Sequence, residues 1–297
     1  MSIISITKQY QSASRQRWRK LVNRSMLIMT VVATIVVVAP LIWILGYVTQ
    51  QGLPAINLAF FTELPTPVGI PGGGIINAIV GTLMTVGLGA CIAAPIGIMT
   101  AFYAASHPNT TFGLLIRFGT DVISGVPSIV MGIFAYTIIV LPQRHFSAYS
   151  GGIVLSFIML PIIVRTTEEM LKLVPNTLRE ASLALGAPDW KTSFSVILPA
   201  AFNGVLTGLV LAIARAAGEA APMLFTAFGN PFMNTDFNQP VSTLPHLIYT
   251  YAISPYPDWH AKAWATALVL IVLVLLSNIL ARVAVWWRVR RLGSVTR

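Results

Sequence analysis

The stretch IINAIVGTLMTVGLGACIAAPIGIMTAFYA, residues 75–104, decides the kind of fold that this sequence can adopt. It contains no Lys, Arg, Asp or Glu, and the uncharged run continues on both sides, over residues 64–116. A helix crosses a bilayer with about 20 mostly apolar residues. The segments PTPVGIPGGG before the stretch and SHPNTT after it break a helix. The sequence therefore predicts one long membrane-spanning helix from Ile75 to Ala104, bent near Pro95.

The composition of the whole chain supports a membrane protein. Of its 297 residues, 56% are hydrophobic and only 9% are charged. Soluble proteins carry about 25% charged residues, so this chain cannot cover an aqueous surface. Soluble domains and disorder are therefore excluded. An outer-membrane barrel is excluded too, because it would show alternating segments of about ten residues. We expect an all-α polytopic membrane protein.

Five further apolar runs bring the predicted number of transmembrane helices to six. They cover residues 26–48, 114–141, 151–167, 200–228 and 262–286. The first run follows a basic tail, residues 1–25, and is longer than the apolar region of a cleaved signal peptide. We therefore expect it to remain as the first helix.

The distribution of Lys and Arg predicts the topology of these six helices. Six basic residues lie in the N-terminal tail, four in residues 165–191 and five in residues 282–297. The connections 49–74 and 230–258 contain none. Six spans place all three basic segments, and both termini, in the cytoplasm. The net charge of +10 then reflects topology, and we expect no nucleic-acid partner.

The longest predicted cytoplasmic loop, residues 167–199, reads TEEMLKLVPNTLREASLALGAPDWKTSFSVILP. Its pattern predicts a short helix that ends at Gly186, where glycine is a typical C-cap. A second short helix is expected from Asp189 to Pro199, with Pro199 opening the next span.

This loop resembles the EAA motif of type I ABC importer permeases. That motif runs Glu-Ala-Ala, three residues, Gly, nine residues and Ile-x-Leu-Pro. Here Glu180, Ala181, Gly186 and Pro199 match it, while Ser182 replaces the second Ala and Val196 replaces Ile. The resemblance implies a MetI-like fold in which the loop docks on a cytoplasmic ATPase subunit. The residues alone leave an alternative, an amphipathic helix lying on the membrane.

Two charged residues, Arg215 and Glu219, lie near the centre of the fifth predicted span. Their spacing places them on one helical face. Because a central charge costs roughly 2.5–3.5 kcal/mol on insertion scales, such residues rarely lack a role. An internal ion pair that locks the bundle is one interpretation. The other is a path for an anion, since a guanidinium binds phosphate oxygens in bidentate fashion.

The segment ARAAGEAAPMLFTAFG, residues 214–229, and SGVPSIVMGIFAY, residues 124–136, resemble A-type permeases of the bacterial high-affinity phosphate importer. The resemblance implies that Arg215 and Glu219 serve phosphate movement. It also implies a prokaryotic plasma-membrane location, a homologous second permease, two ATPase subunits that bind ATP and magnesium, and an external phosphate-binding protein. It predicts a transmembrane domain over residues 70–285, with the loop 167–199 inside it and a basic tail, 286–297, after it.

Three smaller features also give expectations. Gly125 and Pro127 predict a break in the third span, either a cavity wall or gate, or a plain kink. Arg117 and Asp121, four residues apart, predict a salt bridge or an interface anchor. Cys91, the single cysteine, is expected to be a small buried side chain, and it excludes an intrachain disulfide.

The sequence has no GxxxxGK[ST] pattern, and no metal cluster or catalytic triad is recognisable in it. We therefore expect no enzymatic activity and no bound metal or cofactor in this chain, with the energy coming from a partner. An importer of another oxyanion, such as sulfate or molybdate, is the near alternative. An ion-coupled carrier, an anion channel and a scaffold are further alternatives. The EAA-like loop disfavours the carrier and the channel, and the Arg215–Glu219 pair disfavours the scaffold.

Overall fold

The computed structural model describes residues 13–70 and 72–293, and within them the regular structure is helical. Phe228 and Val241 form an isolated bridge. The predicted all-α class is confirmed. The helices are α1 (Ala13–Gly52), α2 (Leu58–Thr62), α3 (Ile76–Ser106), α4 (Thr111–Gly125), α5 (Ser128–Ala135), α6 (Ala148–Lys172), α7 (Asn176–Ala184), α8 (Asp189–Thr192), α9 (Leu198–Ala217), α10 (Ala221–Thr226), α11 (Leu244–Ala252) and α12 (Pro257–Gly293).

Two π-helical turns lengthen these elements. The π turn Tyr136–Val140 follows α5 directly, and the helix then runs on through Leu141–Gln143. The π turn Ser193–Ile197 joins α8 to α9. Over the described residues, five helical runs are long and apolar enough to cross a membrane. The pair α4 and α5, bent by 101°, makes a sixth if the two helices form one span. The structure therefore has the six predicted spans when α4 and α5 are counted together as one span.

The chain divides into two compact units, residues 1–50 and 51–297. The first unit is described from Ala13 onwards and consists of α1, which continues to Gly52 and contains Pro40. The hydroxyl groups of Thr30, Thr34 and Thr49 each donate a hydrogen bond to the carbonyl four residues earlier. Polar groups satisfied within the helix suit an apolar surrounding.

The core of the second unit is the contact between α3 and α6. Residues at every fourth position of α3 are small and buried. They are Gly81, Thr85, Gly89, Ala93, Gly97 and Ala101. A Cβ atom on Gly97 would lie 2.8 Å from Ile163 Cγ2, and one on Gly89 would lie 3.0 Å from the Gly152 carbonyl oxygen. The small residues therefore allow the two helices to approach closely.

Cys91 lies off this stripe, so the prediction that it is buried is wrong. Its side chain is exposed. Cys91 lies two positions from both Gly89 and Ala93, and residues two apart in a helix point to nearly opposite sides, so Cys91 points away from the packed face. The helix itself, Ile76–Ser106 with Pro95 inside it, confirms the predicted helix over residues 75–104.

The predicted connection 230–258 contains a helix, α11, that the sequence interpretation missed. Leu244, Leu247 and Tyr251 of α11 are buried in a cluster with Phe60 and Ile75. The connection is also tied to α3. The Leu244 backbone N–H donates to Thr82 Oγ1 at 2.8 Å, and Asn77 Nδ2 donates to the Asn230 carbonyl at 2.7 Å.

Candidate functional site

Two helix breaks in the second unit position the candidate site. The first separates α4, which ends at Gly125, from α5, which begins at Ser128. Val126 and Pro127 are extended, with ψ angles of 127° and 137°. Proline lacks a backbone donor and disfavours helical geometry in the residue before it. The break therefore lies where Gly125 and Pro127 predict it.

The second break separates α9, which ends at Ala217, from α10, which begins at Ala221. The prediction of one continuous helix over residues 200–228 is wrong at this point. Pro222, in the first turn of α10, cannot donate to a carbonyl four residues earlier, so the helix restarts instead of continuing. Glu219 consequently lies in the link after α9, not on the same helix as Arg215.

The two breaks meet at a cavity of about 290 Å³. The α4–α5 break contributes residues 123–128 to its wall, including Ser124 and Ser128. The middle of α6 contributes Ile158 and Pro161. Arg215 and Glu219 supply its two charged groups. The cavity is thus lined by both apolar and polar groups, brought together from four helices, α4, α5, α6 and α9, and from the link that follows α9.

The ion pair between Arg215 and Glu219 is loose. Arg215 Nε lies 3.9 Å from Glu219 Oε1, and the Arg215 side chain is 62% exposed while that of Glu219 is 17% exposed. A guanidinium that locks a structure makes shorter, often bidentate contacts. This geometry disfavours the interpretation of the pair as a lock between helices. It leaves the guanidinium open to a ligand in the cavity.

A second group of charges ties α4 to α6, and it corrects the predicted Arg117–Asp121 salt bridge. Arg117 Nε donates to Glu168 Oε1 at 2.7 Å, and Lys172 Nζ lies 2.6 Å from the same oxygen. Asp121 pairs with Arg165. The prediction fails because α6 offers a partner of opposite sign to each α4 residue. These contacts connect two helices and give the group a structural role.

The EAA-like loop forms two short helices joined by a tight turn. α7 ends at Ala184, and Gly186 follows with φ of +82°, the left-handed conformation expected of a C-cap glycine. Ser182 Oγ and Thr192 Oγ1 form a buried hydrogen bond of 2.8 Å between α7 and α8. The sequence interpretation treated Ser182 only as a substitute for alanine. Its hydroxyl links the two helices.

The outer face of this loop is open in the single chain. Glu180 and Ala181 are exposed, and so are the large apolar side chains of Leu185 (89%) and Trp190 (67%). Exposed apolar groups of this size, close to a carboxylate, are typical of a protein contact surface.

The prediction that a helix ends at Pro199 is wrong. Asp189–Ala217 is one helical run, in which α8 continues through the π turn into α9. Pro199 lies in the first turn of α9. Proline is tolerated at the first turn of a helix, and a π turn changes the local hydrogen bonding. The loop is therefore connected to Arg215 by continuous helix.

Within the described residues, no group of three or more His, Cys, Asp or Glu side chains could hold a metal ion. A bundle of apolar helices in which two broken helices meet at a polar cavity is the architecture of a membrane transport protein.

Comparison with known proteins narrows this class. Residues 93–285 match the family described as binding-protein-dependent transport system inner membrane component. The chain is 43% identical over 270 residues to the phosphate transport system permease protein PstA of Yersinia pestis, covering 91% of this chain and 92% of the relative. It is 41% identical over 266 residues to PstA of Haemophilus influenzae, covering 89% and 94%. The chain belongs to the PstA-type permeases of this transport family.

The fold has solved counterparts. An inward-facing structure of the MetNI methionine ABC transporter matches with a TM-score of 0.55 and 19% identity, over 75% of this chain and 95% of that chain. At this identity the likeness concerns the fold alone, and it confirms the predicted MetI-like architecture. The alignment with the Yersinia protein covers 270 residues, which is more than residues 70–297 contain. The similarity to the Yersinia protein therefore begins before residue 70, further towards the N-terminus than the sequence motifs imply.

Proposed function

We propose that this permease imports inorganic phosphate as the membrane-spanning subunit of an ATP-driven transporter. The observation that carries the proposal is the open Arg215 guanidinium in a cavity formed by two helix breaks. The relatives of the chain are named phosphate transport permeases, which supports the same substrate. An arginine in this position offsets the cost of desolvating an anion within the membrane.

Glu219 supplies selectivity in this proposal. At neutral pH phosphate retains at least one proton, whereas sulfate retains none. A carboxylate accepts a hydrogen bond from a protonated phosphate oxygen and repels a fully deprotonated dianion. Glu219 is mostly buried, lines the same cavity as Arg215 and lies 3.9 Å from it, so both groups reach one bound anion.

Transport proceeds by alternating access driven by a cytoplasmic ATPase. The proposed dock is the loop 167–199, with Glu180, Ala181 and the exposed Leu185 and Trp190 facing the ATPase. Because α8 is continuous with α9, a displacement of the dock moves the helix that carries Arg215. The helix breaks at Gly125 and Pro127 and after Ala217 are the points where the cavity wall changes shape.

The remaining components are proposed from the family. A homologous second permease completes the pore, two ATPase subunits bind ATP and magnesium, and an external binding protein delivers phosphate. The location is the inner (plasma) membrane of a prokaryote, with both termini in the cytoplasm.

Cysteine accessibility tests this orientation. Single cysteines in place of Asn57, His145 and Asn238, in a Cys91→Ala background, are expected to react with an impermeant maleimide from outside. A cysteine in place of Thr177 is expected to react only after permeabilisation. All four positions are exposed in the structure. Labelling of position 177 in intact cells would show that the orientation is wrong.

Replacing Glu219 by glutamine tests the proposed substrate. Uptake of labelled phosphate and labelled sulfate is measured in vesicles that contain the full complex. Wild-type and Glu219→Gln permeases are compared in a background in which transport does not require the external binding protein. Wild-type complex is expected to transport phosphate in preference to sulfate. Glu219→Gln is expected to retain part of the phosphate uptake and to narrow the preference by at least about tenfold, because a like charge facing sulfate is removed.

Glu169→Gln is the matched control, since this carboxylate is exposed near the end of α6 and lies outside the cavity. It is expected to leave the preference unchanged. Equal transport of phosphate and sulfate by the wild-type complex would contradict the proposed substrate. An unchanged preference for phosphate over sulfate in Glu219→Gln would contradict only the role of Glu219, and not the proposed substrate.

A further inference from the structure

The cavity that contains Arg215 has a smaller neighbour along the same two helices, α4 and α6. The smaller cavity has a volume of about 150 Å³. On α4, its lining residues fall within 117–121, and residues 123–125 line the larger cavity. On α6 the order is reversed, because residues within 158–162 line the larger cavity and residues within 164–172 line the smaller one. The two cavities therefore follow one another along the groove between these helices, the α4–α6 groove.

The smaller cavity lies on the side of the Arg215 cavity that leads to the loop 167–199. Lys172, the last residue of α6, is part of its lining, and α7 of the loop follows. The Arg117 guanidinium, also in the lining, donates to the carbonyls of Pro108 and Ala104, where α3 ends and the link to α4 begins. Since the loop 167–199 is the proposed dock of the cytoplasmic ATPase, the smaller cavity lies between Arg215 and the cytoplasm in the proposed function.

The smaller cavity is rich in charges, and its basic side chains are paired within the described structure. Its lining contains three basic and three acidic residues: Arg117, Arg165, Lys172, Asp121, Glu168 and Glu169. Arg165 pairs with Asp121. Arg117 and Lys172 share one oxygen of Glu168, at 2.7 Å and 2.6 Å. The α4–α6 groove therefore presents no unpaired cation among these residues, in contrast to Arg215 with its loose contact of 3.9 Å to Glu219.

The pair formed by Asp121 and Arg165 differs from the contacts of Glu168 in its exposure. The two side chains are 51% and 54% exposed, whereas that of Glu168 is 8% exposed. An exposed ion pair adds little to stability, so the buried Glu168 contacts contribute more to holding α4 against α6. Without Asp121, however, Arg165 would present an open guanidinium fork, which binds phosphate oxygens in bidentate fashion. An anion leaving the Arg215 cavity along this groove would then meet a second binding site.

We propose that Asp121 prevents Arg165 from binding phosphate, so that the anion released from Arg215 passes along the α4–α6 groove without being retained. This inference rests on the proposed transport function and adds a role in release to the roles of Arg215 and Glu219 in binding. Asp121 acts through Arg165, and it is a positioning residue in this sense. The pair also connects α4 to α6, so the test must separate release from structure.

Replacing Asp121 by asparagine is expected to make phosphate bind more tightly and move more slowly. Labelled phosphate is titrated onto the purified complex without the binding protein, and uptake is measured in vesicles over a range of phosphate concentrations. The dissociation constant is expected to fall about tenfold, because a charged donor becomes available to the anion. The maximal uptake rate is expected to fall about tenfold, because the anion leaves more slowly. Asp121→Ser also removes the carboxylate, with a smaller side chain, and the same changes are expected.

A double variant separates the proposed role from a structural one. In Asp121→Asn with Arg165→Gln, neither charge remains, so the dissociation constant and the maximal rate are expected to return to within about twofold of the wild type. If the pair served only to hold the helices, the double variant would recover nothing and phosphate would not bind more tightly to the single variant. Asp236→Asn is the matched control, because this carboxylate is exposed and lies outside both cavities. It is expected to change neither quantity.

The possible outcomes distinguish this proposal from the proposed function. Wild-type phosphate affinity in Asp121→Asn, or a slower uptake that the double variant does not restore, would overturn the role of Asp121 and leave phosphate import standing. A wild-type complex that does not transport phosphate would contradict both. Co-purification of the ATPase with each variant shows that the complexes compared are assembled.

Discussion

Phosphate uptake by the reconstituted complex is expected to fall by at least about 100-fold when Arg215 is replaced by alanine. The guanidinium is 62% exposed and its contact to Glu219 is 3.9 Å, so it is available to the anion. Each hydrogen bond from a charged donor contributes about 1.5–3 kcal/mol, and a bidentate contact supplies two. Without this charge, Glu219 remains as the only charge in the lining that the structure describes, and it repels the anion. Initial rates of labelled phosphate uptake in vesicles measure the effect.

Two further variants separate charge from geometry. Arg215→Lys keeps the positive charge and loses the planar fork, so it is expected to give intermediate uptake. Arg144→Ala removes an arginine outside the cavity and is expected to leave uptake unchanged. If Arg215→Ala transports phosphate at the wild-type rate while the complex is intact, Arg215 has no part in the path. Co-purification of the ATPase with each variant shows that the complex is intact.

Much of this fold is readable from the sequence because a bilayer permits so few solutions. Long uncharged runs must become helices, since backbone groups cannot remain unpaired in lipid. The α3 helix and the break at Pro127 follow from apolar length and proline chemistry alone. The turn at Gly186 follows from the motif spacing, and the structure gives it the left-handed φ that its glycine suggests.

Features that depend on contacts between distant segments were not predictable in this way. Arg117 pairs with Glu168, 51 residues later, and a helical spacing rule points only to Asp121. Pro222 indicates the break before Ala221 in the sequence. The residues on both sides of the break are apolar, however, so hydropathy does not distinguish two helices from one continuous helix. α11 was missed because a connection between spans is expected to be a surface loop, whereas Tyr251 is buried.

Coupled transport is expected to fall about tenfold or more when Gly186 is replaced by valine. Gly186 has φ of +82°, and a Cβ atom there would meet no atom within 4 Å. The constraint is therefore the backbone conformation, not space within the chain. A left-handed residue other than glycine costs about 1–2 kcal/mol, and a β-branched one costs more. The turn between α7 and α8 would then shift, and with it the exposed face that carries Glu180. Phosphate uptake, and ATP hydrolysis stimulated by the loaded binding protein, measure the coupling.

Asparagine at the same position separates conformation from bulk. It adds a side chain, as valine does, but it tolerates the left-handed region. Gly186→Asn is expected to keep most of the coupled transport. Ala187→Val places the same branched side chain one residue later, where φ is not positive, and it is expected to have a small effect. Equal losses in Gly186→Val and Ala187→Val would show that crowding at the dock, and not the backbone of the turn, controls coupling. Full transport in Gly186→Val, with the ATPase bound, would remove the case for this turn as part of the dock.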